Sequence, residues 1–412
     1  LNPERRSSPS DGAPMHTQSN SSCPEHPSVL DRDAVLAMYR EMAEWLGRQQ
    51  VRDGRNVGSV YFPTEDRYCN RDTACAAAVF MRMAGLAGGA PWREQAAAAR
   101  EHVLAVQGAN GGYPELRGQE LSDGGSAVNT SVIATNLIRA YIAGLPCEVR
   151  DMDALTRMAD FVLTLEWQSG AFYHDTNHVA AFRGPNGDLM WSDEGSQRDC
   201  HNTTALAAAM LRRIAGFLEA RGRAPNPLWR AAAKRAVGHL LAGQNADGHW
   251  PYWAGATWYD VGHHGMCMHH LAEALGTADA SERATGVAAI VRGAEWLLDY
   301  GLLPGRKGTK IDWAMEHSAC VYFTHGYFAV AAPLARLAAF TPCGAARWRH
   351  EALELMRYVR TALWDNPNAS REGPFRLTEA GLCKGYAWFG QSMGWCLYLL
   401  DDLIDQLGWW RA

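Results

Sequence analysis

His201-Asn202, Tyr259 and His263-His264 are the residues whose types and spacing best suit chemistry in this chain. An imidazole can take a proton, a phenol can return one, and an amide can neutralise a carboxylate by hydrogen bonding. Those are the three roles needed to β-eliminate from a uronate: Asn202 neutralises, His201 or His263 is the base, and Tyr259 is the acid. Arg67 and Arg71 suit two-pronged binding of a carboxylate, and Asp72, Asn129, Glu316, His317, Lys384 and Tyr386 add charged and polar groups at comparable places. Trp191, Trp250, Trp258 and Trp388 offer flat apolar faces of the kind that stack on pyranose rings. Glu194, Asp72, Asp312 and Glu316 could instead supply the carboxylate pair of a glycoside hydrolase. A lone histidine is usually structural. Here His201, His263, His264 and His317 fall at equivalent places before or at the start of successive apolar helices, which argues for a functional cavity.

Metal chemistry has one candidate set. Cys200, His201, His263 and Cys267 have zinc-type donors, and an i,i+4 spacing puts the last two on one helical face. Cys75, Cys267, Cys320 and Cys396, however, lie inside apolar helical runs and read as buried small hydrophobes in a reducing compartment. The expectation is therefore a cytoplasmic protein without a cofactor.

The elements that must carry these residues alternate in character. Amphipathic helices rich in Arg and Glu are expected over 33–50, 92–107, 153–168, 228–244, 284–301 and 347–364. Nearly all-apolar, Ala-rich helices follow over 71–86, 127–145, 201–218, 262–276, 317–337 and 385–404. The amphipathic helices end at intervals of 57, 61, 76, 57 and 63 residues, a period that marks internal repetition. Six solvent-facing helices around six buried ones close into an all-α (α/α)6 toroid, with residues 1–30 as a disordered tail and 31–412 as a single domain. The chemistry-bearing residues then gather at the end of the lumen where the inner helices begin. The rest of the inner helices reads as apolar, and Asp401-Asp402-Leu-Ile-Asp405 reads as a solvated helix terminus.

Composition narrows the partners. A net charge of −5 with 47% hydrophobic residues gives no basic footprint for nucleic acid, and no apolar run is long enough to span a membrane. The expected partner is a small molecule or an oligosaccharide; oligomeric state is not legible.

A short repeat marks the ends of the amphipathic helices: Gln244-x3-Gly248-x-Trp250, Gln107-x3-Gly111-x-Tyr113 and Gln168-x-Gly170-x-Phe172. Physically, the Gln can bind carbonyls left open at a helix end, the Gly permits the reversal, and the aromatic packs over the junction. The first copy resembles the Gln-x3-Gly-x-Trp repeat of triterpene cyclases and is similar to that of protein prenyltransferase β-subunits. This implies a toroid and, as an alternative activity, terpenoid cyclisation or prenyl transfer. The polar lumen resembles alginate-lyase-like toroids, which also place Asn/His and Tyr on inner helices. That implies a polysaccharide lyase using His201-Asn202, Tyr259, His263 and His264. MHHLAEAL (268–275) resembles a stretch of sugar 2-epimerases, and Gly394-Trp395-Cys396 resembles lanthionine cyclases. Unsaturated-uronide hydrolases share the same architecture.

Overall fold

The computed structural model describes residues 32–62, 67–86, 88–114, 125–167, 170–174, 200–252, 259–301, 311–312, 325–364, 375–378, 381–384 and 393–410. The inner helices are α2 (Asn70–Leu86), α4 (Ala127–Ile142), α6 (His201–Glu219), α8 (Val261–Leu275), α10 (His325–Phe340) and α12 (Met393–Gln406). The outer helices are α1 (Arg32–Arg48), α3 (Ala90–Ala105), α5 (Val149–Leu163), α7 (Pro227–Gly243), α9 (Ala280–Trp296) and α11 (Ala345–Tyr358). Each inner helix packs on the next, and α12 returns to α2, so the ring closes. Outer helices back the inner ones, with α1 spanning the seam between α12 and α2. This is the (α/α)6 toroid expected from the sequence.

The composition explains the layers. Every side chain from Asp72 to Met81 of α2 is buried, as a helix packed on both faces requires. Runs of alanine in α2 and α6 allow neighbouring backbones to approach closely. Local caps set helix starts: Ser126 accepts the Asn129 N–H for α4, and Asp279 accepts the Glu282 N–H for α9. Inner-to-outer connections are short (143–148, 220–226, 276–279, 341–344), whereas outer-to-inner connections are long (106–126, 164–200, 244–260). All the long loops therefore meet at one end, the mouth.

Among the described residues, three two-stranded antiparallel ribbons, which the all-helical reading did not anticipate, stand in outer-to-inner connections: β1 (Tyr61–Phe62) with β2 (Arg67–Tyr68), β3 (Tyr259–Asp260) with β4 (Ile311–Asp312), and β5 (Phe375–Thr378) with β6 (Gly381–Lys384). In the second ribbon Tyr259 pairs with Asp312, joining two loops of the mouth.

The repeated motif has the architectural role its chemistry suggested. Gln107 donates to the Gly111 and Ala154 carbonyls (3.0 and 3.1 Å), and Gln244 donates to those of Gly248 and Ala289 (2.7 and 2.8 Å). Gln50 does the same with Gly58 and Gln95, a copy the sequence spacing hides. Each Gln thus ties its own loop to the next outer helix. Gly248, at φ +103°, lies so close to that helix that a Cβ would stand 2.5 Å from the Arg292 carbonyl oxygen. Gly111 meets the Arg157 carbonyl in the same way, with φ +92°.

The fourth residue of the inner helix completes the joint. Thr73, Thr130 and Thr204 accept the backbone N–H of Val60, Tyr113 and Phe172 on Oγ1 at 2.9, 3.1 and 3.0 Å. In the next repeat His264 takes that place, accepting the Trp250 N–H on Nδ1 at 3.1 Å.

Candidate functional site

Two levels of the lumen carry chemistry. The upper one is the mouth. Arg71, the second residue of α2, holds its guanidinium 5.8 Å from the ring of Trp395 on α12. Across the ring, His263 is half-buried and meets Tyr252 edge-on, with ring centroids 4.4 Å apart. Asn202 is also half-buried, and its Oδ1 accepts the Cys200 thiol at 2.8 Å. Tyr252 joins Asn202 and His263 at this wall although the sequence reading passed it over; its place after the Gln-x3-Gly-x-Trp motif was the available signal.

Several expected site residues belong instead to the frame. His264 is fully buried; with Nδ1 accepting, its Nε2–H donates to the Gly293 carbonyl at 3.1 Å. Both nitrogens are thus committed, and burial lowers its pKa to about 4, so it cannot serve as the exposed base first expected. Trp250 was expected to stack on sugar. It is 1% exposed, and its indole N–H donates to the Leu240 carbonyl at 2.7 Å. His201 is likewise buried: Nδ1–H donates to the Pro251 carbonyl at 2.7 Å, and Nε2 lies against Gly243. Asp72 accepts the Gly394 N–H (2.6 Å) and the Cys69 thiol (2.7 Å), sealing the α2–α12 seam. Asn129 donates to the Pro114 carbonyl at 2.7 Å and is buried. In each case the polar atoms are committed to the frame: a mouth loop for His201 and Asn129, a loop and an outer helix for His264, an outer helix for Trp250, and the α2–α12 seam for Asp72.

Backbone positions alone are described for Arg67 in β2, Tyr259 in β3 and Lys384 in β6. Trp191, Trp258, Glu316, His317, Tyr386 and Trp388 lie outside the described residues, as do Glu194, Cys320 and Gln168.

The lower level overturns the reading of the inner helices as apolar beyond their first turns. Arg82, Arg139, Arg213, Glu273 and Arg336 stand late in α2, α4, α6, α8 and α10, facing Asp401 and Asp402 of α12. Arg139 and Arg82 pair with Asp401, Arg336 pairs with Asp402, and Arg213 pairs with Glu273. Asp401 and Asp402 are therefore buried and ion-paired, not a solvated terminus; only Asp405 is substantially exposed. The recurrence of a charge near the same turn of consecutive Ala-rich helices was the sequence signal for this layer.

Within it, His269, His270 and Glu273 of α8 meet Tyr398 of α12. His270 Nδ1 is 3.2 Å from Glu273 Oε2, which also accepts the Tyr398 hydroxyl at 2.9 Å. Tyr398 in turn accepts from His269 Nε2 at 3.3 Å. Burial alone would raise the Glu273 pKa, but Arg213, the hydrogen bond from His270 and Arg336 outweigh it and hold the carboxylate ionised. Burial drives His269 to about 3, so it is neutral.

Three metal-type donors come within reach of one another at His269, His270 and Glu273 alone among the described residues. The sequence-derived zinc set does not assemble: the Cys200 thiol faces Asn202, and His201 is turned to Pro251. Cys75, Cys267 and Cys396 are buried free thiols, as expected.

No protein-family model matches the chain, and no curated protein sequence matches it. Solved structures do. A D-mannose isomerase superposes with a TM-score of 0.64 at 10% identity, covering 92% of this chain and 100% of its own. An unsaturated glucuronyl hydrolase specific for heparin gives 0.62 at 9%, covering 91% and 98%. A polysaccharide lyase gives 0.56 at 11%, covering 92% and 98%. Across its described helices, and in likeness to these three proteins over their whole lengths, the chain is an (α/α)6 toroid.

Proposed function

We propose that the protein is a carbohydrate-active enzyme and, within that class, a lyase that β-eliminates a uronate-containing glycan in the toroid lumen. The observation that carries the class is the likeness, over nine-tenths of the chain, to toroids whose names are those of sugar enzymes. Fold alone does not fix chemistry. The lumen adds support: guanidinium, amide and imidazole groups stand at the mouth with aromatic rings beside them, a surface suited to hydroxyls and carboxylates.

A hydrocarbon cyclase would need a buried acid able to protonate an alkene. The buried carboxylates described along the inner ring are instead acceptors: Glu273, Asp401 and Asp402 are paired with arginines, and Asp72 takes an N–H and an S–H. This favours sugars over the terpenoid alternative. For elimination, Asn202 and Arg71 neutralise the carboxylate and so acidify the neighbouring C–H. Tyr259 supplies the proton to the leaving oxygen, and His263 is the half-buried imidazole of the mouth.

A second reading, sugar isomerisation or epimerisation, has one observation in its favour: the His270–Glu273 pair suits the movement of a single proton at a sugar carbon. Incubation with a panel of oligomeric and polymeric uronates, followed by the ultraviolet absorbance of the unsaturated product, tests the lyase reading. Signal from the wild type that Asn202→Ala and Tyr259→Phe lose is the expected result. Folded protein that gives no signal on any uronate overturns it.

A further inference from the structure

We propose that His270, not a mouth histidine, is the catalytic base of this lumen, with Glu273 as its positioning residue. The inference rests on the carbohydrate-active reading and names the group that removes the proton from a sugar carbon beside a carboxylate or carbonyl.

Four observations converge on this residue. First, His270 and Glu273 are three apart on one helix face, and Nδ1 lies 3.2 Å from the carboxylate. A carboxylate accepts only, so the proton sits on Nδ1 and the lone pair on Nε2, the tautomer a base requires. Second, that Nε2 is buried and has no hydrogen-bond partner among the described residues. Buried polar atoms are rarely left so, and one that is calls for a functional explanation. Third, the ring stacks on Tyr398 at 6.0 Å and also meets Trp395 at 6.0 Å, the same Trp395 that lies under Arg71 at the mouth. His270 is therefore one aromatic layer below the place where a sugar carboxylate would be held. Fourth, Arg213 and Arg336 keep Glu273 ionised from the opposite side, so a carboxylate is present to balance an imidazolium.

Neighbouring groups do not compete for the role. His269 donates from Nε2 to Tyr398; its Nδ1 also lacks a hydrogen-bond partner, but the Asp402 carboxylate stands in front of it at 3.6 Å, where a substrate C–H would have to come. Tyr398 is a poor acid here, since burial and then Glu273 push its pKa well above the usual phenol value. Arg139 and Arg82 are occupied by Asp401. A divalent cation on His269, His270 and Glu273 is disfavoured because two guanidiniums already bind the carboxylate.

The step balances without a cofactor. The C5–H proton passes to Nε2 while its electron pair forms the C4=C5 double bond. The C4–O bond breaks, and its pair leaves on the glycosidic oxygen, which takes a proton from Tyr259. The imidazolium then returns its proton through solvent to the phenolate, and both groups are reset. On a reducing sugar the same base would take the C2 proton to an enediolate and give it back to carbon.

The test uses the full-length protein with oligouronates and reducing disaccharides in D2O, reading ultraviolet absorbance and deuterium incorporation by NMR. His270→Gln should lose about 10²- to 10⁴-fold in kcat, the range that a general base contributes, with sugar binding retained. Glu273→Gln should move the acid limb of the kcat/KM profile to lower pH, because the imidazolium loses its counter-charge; a purely structural role would leave that limb in place. His263→Ala should change KM more than kcat. If the wild type turns over a sugar and folded His270→Gln stays within a few-fold of it, His270 is not the base, and the carbohydrate reading survives. If His270→Gln does not fold, the Glu273→Gln profile decides: an unmoved limb overturns the proposal. Deuterium exchange on reducing sugars without elimination on uronates, lost in His270→Gln, upholds His270 and overturns the lyase reading. A wild type that neither eliminates nor exchanges on any of these sugars overturns both.

Discussion

Replacing His264 with threonine should flatten the acid limb of the stability profile. His264 is neutral in the fold because burial lowers its pKa from 6.5 to about 4. The unfolded chain keeps the ordinary value, so below pH 6.5 it binds a proton that the folded chain refuses. Stability from this group is intact above pH 6.5 and is lost progressively as pH falls towards 4. A difference of two to three pKa units corresponds to about 3 kcal/mol, lost at about 1.4 kcal/mol per pH unit. Threonine occupies the same place in three other repeats, at Thr73, Thr130 and Thr204, so His264→Thr should keep the bond from the Trp250 N–H. It forfeits the bond to the Gly293 carbonyl and the packing between Trp250 and Trp296. The neutral-pH cost is about 2–4 kcal/mol, from one lost hydrogen bond and a partial cavity, since the Gly293 carbonyl keeps the Leu297 N–H. Urea unfolding at pH 7, 6, 5 and 4 measures both effects. The gap between wild type and variant should narrow by about 3 kcal/mol over that range, and His264→Asn, which also cannot titrate, should show the same narrowing. Parallel curves for wild type and both variants would refute the argument that a buried neutral His264 sets this slope.

Gly248→Ala should destabilise by about 2–4 kcal/mol, since it forces a left-handed backbone on a side chain and pushes Cβ against the Arg292 carbonyl; thermal melting reports it. Gln244→Ala removes the hydrogen bonds to the Gly248 and Ala289 carbonyls and should cost about 1–3 kcal/mol in urea unfolding. Arg336→Ala leaves Asp402 buried with a weakened counter-charge and should cost about 3–5 kcal/mol, whereas the double change Arg336→Met with Asp402→Leu should recover most of the loss. Burial also drives His269 to about 3, so the Gln variant at 269 should lose a second increment of acid sensitivity in the same pH series as His264, with the same sign.

The sequence by itself determined the toroid. A helical period repeated six times, alternating between amphipathic and all-apolar faces, has few ways to bury its surface other than an inner ring within an outer one. It also determined the joint: in the Gln-x3-Gly-x-aromatic run the Gln and Gly act on their own loop and the next outer helix and the aromatic on the outer helix just before, so local pattern carries the information. The tertiary structure alone decided which polar residues face the lumen. His264 and Trp250 look like site residues in a linear reading because both lie at the mouth. Only the register with Thr73, Thr130 and Thr204 shows that the fourth residue of an inner helix turns back under its loop. Asp401 and Asp402 look like a solvated helix end until ring closure sets α12 against α2 and α10, with α4 and α8 within reach across the axis. Charges far apart in sequence, such as Arg139 and Asp401, then meet out of water, and the gain from pairing there depends on a geometry that no local pattern encodes. For the same reason the His270–Glu273 pair was legible as two residues one turn apart. Its unpartnered Nε2 beneath Trp395 became visible only when α8 and α12 were brought together.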